Sequence, residues 1–273
     1  MSTIPPLFEE HSHSLNVAPQ PFPDIGSPGI RVNLKQCIEP GTGFAQFLGY
    51  LVAVLGVLIG GAVSYGLLWL VLLLAPLFDY FNRKKAMALI RGSGIEVGPH
   101  QFPQLYACAM HYSERLGLSA PPAIFIVEGN TINAFAVRIG GRKVVLLNDD
   151  IVDACLRSGN PQTLAFILGH ELAHHALGHT GMIRSYIATA FKKLARLNEF
   201  SCDAAANELV GDSKISAKAL VTLLAGPQLL RFVNFNQLAA QAAQVNADKH
   251  SRKAERRLTH PLILRRIQRF QNR

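Results

Sequence analysis

From Pro40 to Phe78 the chain carries no charged residue, and from Phe44 onward it is almost wholly apolar. A membrane helix needs about 20 such residues, and a soluble core helix of this length would find too little protein to bury it. As one helix, residues 44–78 would reach about 52 Å, long for a hydrocarbon core of about 30 Å. Split at Gly60-Gly61, the run gives two slightly short segments, so one tilted span and a tight hairpin both fit. Arg83, Lys84, Lys85 and Arg91 follow the run, whereas only Arg31 and Lys35 precede it. That bias places the downstream domain in the cytoplasm, at the cell (inner) membrane. Gly56 and Gly60 make a GxxxG pair, for which plain lipid-facing packing is the simpler reading.

Around this segment the chain divides into three. Residues 1–40 hold seven prolines and no apolar block of signal-peptide length, which reads as a mostly disordered Pro-rich tail. Residues 41–79 are the transmembrane segment, and 86–273 form the domain that carries chemistry. There the spacing predicts a helix over 102–116, strands over 123–127, 134–139 and 143–147 with a Gly140-Gly141 hairpin turn, and helices over 161–177, 182–210, 214–232 and 261–271. A small antiparallel sheet beside several helices is an α+β layout, mostly helical.

Composition narrows the function classes. With 49% hydrophobic and 16% charged residues, the chain is neither disordered throughout, collagenous nor a disulfide scaffold. Its four cysteines, 71, 47 and 47 residues apart, form no CxxC knuckle and read as free thiols in a reducing compartment. The net charge of +9 is local: residues 248–273 hold nine Lys/Arg against two acids. No nucleic-acid motif accompanies that tail, which reads either as a solvated helix face or as a patch on anionic lipid.

The strongest motif is His170-Glu171-Leu172-Ala173-His174, set among Leu164, Phe166, Ile167 and Leu168. On a helix, positions i and i+4 share a face, so both imidazoles can reach one metal while Glu171 flanks a water-occupied position. A catalytic zinc takes three protein ligands. The HExxHxxGxxH pattern does not supply the third, since Leu177 and Thr180 stand where it needs Gly and His. Glu199 does, with Asp203 one turn on able to accept the Nδ1–H of a ligand histidine. His175 and His179, at i+5 and i+9 from His170, point off the metal face. Substrate would lie extended along Lys143–Leu147 if that strand is an edge, the alternative being an internal strand. Asn133 either binds peptide backbone there or caps a turn.

These residues resemble the HtpX and CAAX-prenyl-protease-like membrane zinc metallopeptidases, gluzincins with HExxH followed by an ExxxD helix. The resemblance spans most of 88–270. It rests on Arg91-Gly-Ser-Gly-Ile-Glu-Val97, Phe102-Pro103, Leu116-Gly-Leu118, Asn133-Ala-Phe-Ala136, Gly169-His-Glu-Leu-Ala-His174 with Gly178-His179, and Thr259-His260-Pro261 with Arg265 or Arg266. It implies a zincin-like domain with one zinc per chain on His170, His174 and Glu199, Glu171 as general base, Asp203 supporting a ligand, and His260 near the oxyanion. Two departures stand out: Cys202 replaces the family's usual small residue, and the membrane part lacks four separate spans. The function so implied is a membrane-anchored zinc endopeptidase acting on peptides, unfolded or membrane proteins, in membrane-protein quality control. Alternatives are a catalytically silent, zinc-stabilised membrane scaffold and an intramembrane-cleaving metalloprotease.

Overall fold

The computed structural model describes residues 22, 29–129, 133–157, 161–230 and 232–271. Most of the expected disordered tail lies outside the described residues. Its last part does not behave as a tail: α1 (Leu34–Cys37) carries Cys37 into the main core, and Glu39 pairs with Arg269. The Val32 amide donates to the Arg115 carbonyl (2.9 Å) and the Glu39 amide to Ser201 Oγ (2.9 Å). The expectation of disorder up to residue 40 is thus corrected from residue 30 on. Three apolar positions, Val32, Leu34 and Cys37, find core partners, which prolines and polar residues would not reveal.

The apolar run forms α2 (Thr42–Val63) and α3 (Leu67–Ser93), joined at Ser64-Tyr65-Gly66. The turn falls a few residues beyond Gly60-Gly61, and the reason is steric. A Cβ on Gly60 would come within 2.8 Å of Leu68, and one on Gly61 within 2.2 Å of Trp69. The two glycines therefore let the returning helix lie against α2, while Tyr65 and Gly66 take the left-handed conformations that reverse the chain. By length and composition α2 alone is a candidate membrane span among the described residues. In α3 the apolar half stops at Phe78, after which Asp79, Arg83, Lys84 and Lys85 follow.

Beyond the hairpin come β1 (Gly94–Glu96), α4 (Pro103–Arg115), β2 (Ala123–Val127), β3 (Ala134–Ile139) and β4 (Arg142–Asn148). The strand order is β1-β2-β4-β3, with β3 and β4 antiparallel across Gly140-Gly141 but β2 and β4 parallel. The sheet is mixed, correcting the expectation of a wholly antiparallel one. Val144, Val145 and Leu147 are fully buried, so β4 takes the centre and pushes its hairpin partner β3 to the edge. Of the two readings open for 143–147, edge or internal strand, the structure shows the internal one.

The helical layer comprises α5 (Asp149–Arg157), α6 (Pro161–Ala176), α7 (Met182–Ala190), α8 (Lys192–Val210), α9 (Ser213–Ala225), α10 (Pro227–Leu230), α11 (Phe235–Ala247), α12 (Lys249–Glu255) and α13 (Ile263–Gln271). α6 is buried from Leu164 to Ala173, His170 and Glu171 included, packed between the sheet, α4, α8 and α9. The single helix expected over 182–210 breaks at Phe191, whose ring packs beside Gly49 of α2.

Candidate metal centre

α6 presents His170, Glu171 and His174, and α8, packed along it, presents Glu199 and Asp203. His170 Nε2 lies 3.3 Å from His174 Nε2, His174 Nε2 lies 3.3 Å from Glu199 Oε1, and His170 Nε2 lies 3.6 Å from Glu199 Oε2. Three donors on one face of a tetrahedral zinc, at bond lengths near 2.1 Å, would be about 3.4 Å apart. The donor set therefore fits one zinc ion in size and in chemistry, with two imidazoles and a carboxylate. Glu171, buried on the same helix, opens onto the same cleft of about 210 Å³. Edge strand β3 forms its rim through Ala134 to Val137.

Behind the donors lies a buried layer of ionic groups. His170 Nδ1 is 3.0 Å from Asp203 Oδ1. Arg266 of α13 grips that carboxylate with both arms, Nε to Oδ2 at 2.7 Å and Nη2 to Oδ1 at 2.6 Å, and its Nη1 is 3.4 Å from Glu199. Burial alone would favour the neutral form of each group. Here Arg266, before His170, holds the Asp203 carboxyl below its ordinary value, and His170, His174 and His260 hold Glu199 well below its own. Burial would lower His170, but Asp203 and Glu199 outweigh it and raise the ring to about 10. His260, on the segment before α13 and largely exposed, reaches Glu199 Oε2 at 3.1 Å, and that carboxylate raises its pKa.

Sequence reasoning left one member of the site open between two positions and missed another. Arg266 is one, since choosing it over Arg265 needs the rotational phase of α13; Arg265 turns away to Glu255 and Asn246. His179 is the other. Gly178, with φ 74°, closes α6 by sending the His179 amide back to the His174 carbonyl at 2.9 Å. That returns the His179 ring to His174, Nδ1 to Nδ1 at 3.3 Å, with Cys202 Sγ 3.4 Å beyond. Burial lowers His179 to about 2 and pushes the Cys202 thiol well up, so both are neutral. Asn133 lines the cleft while its Oδ1 accepts from the Ala134 amide (2.9 Å), the turn-capping role.

His175 does face away from the donors. Its Nε2 donates to the Val144 carbonyl (3.0 Å), leaving Nδ1 to accept from Thr180 Oγ1 (2.9 Å), and the ring so ties α6 to β4. Burial lowers its pKa to about 4. A histidine neutral when folded but near 6.5 when unfolded lets the unfolded chain take up a proton first as pH falls. Its contribution is intact above about 6.5 and lost toward 4, about 2 kcal/mol between pH 7 and 5. His175→Gln should therefore show a smaller drop in urea midpoint than wild type over that interval, measured in detergent; equal drops would assign the pH dependence elsewhere.

A family model described as peptidase family M48 matches residues 99–189 and 180–273. No solved structure matches the chain.

Proposed function

This chain belongs to peptidase family M48, and on that premise we propose that it is a membrane-anchored zinc endopeptidase holding one zinc per chain on His170, His174 and Glu199. The observation that carries the reading is the close set of donors, His170 Nε2 and His174 Nε2 3.3 Å apart with the two Glu199 carboxylate oxygens 3.6 and 3.3 Å from them, bordered by Glu171 in a cleft with an open strand edge. Zinc, when bound, supplies Lewis acidity toward the scissile carbonyl and acidifies a water.

The remaining chemistry belongs to the chain. Glu171 takes a proton from the attacking water and later delivers it to the leaving amine. Asp203, fixed by Arg266 with Oδ1 3.0 Å from His170 Nδ1, favours the proton on that nitrogen and so would leave Nε2 free for the metal. For His174 the same service falls to His179: with Nε2 as ligand, Nδ1 carries the proton, and the neutral His179 Nδ1 is positioned to accept it. His260, 3.1 Å from Glu199 Oε2, stands at the cleft, where it would steady negative charge on the carbonyl oxygen. An extended peptide pairs with edge strand β3, which runs along the cleft.

The exposed apolar surfaces of α2 and the first half of α3 support anchoring in lipid, and the basic residues after them support a cytoplasmic domain at the inner membrane. Substrates on this reading are peptide segments of unfolded or membrane proteins. The deciding experiment is zinc content per chain in purified wild type and Glu199→Ala, alongside hydrolysis of an unfolded protein. Near one equivalent, falling sharply in the variant together with hydrolysis, is expected. Zinc that is indifferent to Glu199 would overturn the ligand set, and zinc without hydrolysis would make the chain a silent scaffold.

A further inference from the structure

We propose that the α2–α3 hairpin enters the bilayer from one face and returns to it, its tip ending inside, so that the segment before α2 and the catalytic domain lie on the same side. The inference rests on the membrane reading above. A single crossing would put residues 30–41 across the membrane from the domain, yet those residues are built into it. Cys37 lies in its core, Arg115 Nε donates to the Ile30 carbonyl at 3.1 Å, the Glu39 amide meets Ser201, and the Glu39 carboxylate pairs with Arg269. On α2 itself, Ala45 is buried, and Gly49 lies against Ile187 and Phe191. The far end is pinned as firmly. Arg83 donates to the Arg138 carbonyl of β3 at 2.8 Å, and α3 runs directly into β1 of the sheet.

What stands clear of the domain between these anchors is apolar and exposed on both legs, from Leu51 to Val63 and from Leu67 to Phe78. Helices of 13 and 12 residues rise about 20 and 18 Å, against a hydrocarbon core of about 30 Å. The occupant this surface fits is therefore lipid reached from one side. Backbone polarity sets no obstacle, because both legs are helical and the Leu68 amide donates to Ser64 Oγ at the turn. The base carries interfacial groups: Asp79 paired with Arg83, and Lys84 placed 4.6 Å over the Tyr80 ring. Alongside, α7 packs on α2 through Ile187 and exposes Met182, Ile183 and Tyr186 to the same layer. On this arrangement Arg31, Lys35, Arg83, Lys84, Lys85 and Arg91 all add to one side instead of opposing one another.

All four native cysteines are buried, so an impermeant maleimide can report on single added thiols in the full-length chain. Lys35→Cys, Tyr65→Cys and Lys218→Cys replace exposed residues before the hairpin, at its tip and on the domain. In sealed vesicles of both orientations, the first and third are expected to label from the same side, and Tyr65→Cys only after detergent. Labelling of Lys35→Cys from the side opposite Lys218→Cys would establish a single crossing and overturn the inference. Labelling of Tyr65→Cys from the far side would overturn the shallow insertion. Recovery of the chain in the soluble fraction, as an oligomer covering its hairpins, would overturn the membrane reading along with the inference. None of these readouts depends on zinc or hydrolysis.

Discussion

Glu171→Gln is expected to keep its zinc and its unfolding temperature while losing hydrolysis of an unfolded protein substrate by about 10²- to 10⁴-fold. Glutamine preserves the volume and one side-chain oxygen but cannot accept and return a proton. The side chain is buried on α6 among groups it helps to enclose, so an isosteric replacement separates chemistry from packing better than alanine does. Zinc stoichiometry, thermal unfolding and rate should be read on the same preparation. Hydrolysis within a few-fold of wild type would remove Glu171 from the role of base, whatever the metal content.

Arg266→Leu should produce the largest loss of stability, about 3–5 kcal/mol in the metal-free protein. The substitution leaves Asp203, 3% exposed, and Glu199, 6% exposed, without the cation that faces both. Two buried carboxylates then have only histidines to neutralise them. Zinc should recover part of the loss, because a divalent cation beside Glu199 supplies charge that the arginine had provided. Arg266→Lys keeps the charge without the two-pronged grip and is expected to fall between. Urea midpoints of the three proteins, with and without zinc, check the order; equal midpoints without zinc would mean that Asp203 is not held by Arg266.

Where sequence pattern and physical cause coincide, the structure follows it closely. β2 spans 123–127 as expected, and α6 is buried as the Leu164, Phe166, Ile167 and Leu168 around its motif suggest. Glu199 and Asp203 were legible as a pair because four residues on a helix return to one face, and the structure turns that face toward His170. What escaped depended on neighbours distant in sequence. The parallel pairing of β2 with β4 is decided by which strand buries best, and nothing within either strand states that order. Arg266 lies 63 residues from its carboxylate, so its partner is set by how α13 lands on α8. The docking of residues 30–41 was hidden for the opposite reason: a proline-rich composition masked three apolar contacts and one ion pair.

The grip of Arg266 on Asp203 also imposes an order in time. During synthesis the hairpin up to Phe78 is made 188 residues before Arg266, an interval of roughly 10–40 s at ordinary translation rates. For the last 63 residues of it, Asp203 is already made but lacks its counter-charge, and the metal-ligating donors lack that support. On the proposed membrane reading, the hairpin can thus settle at the bilayer before the metal centre of the same chain is complete.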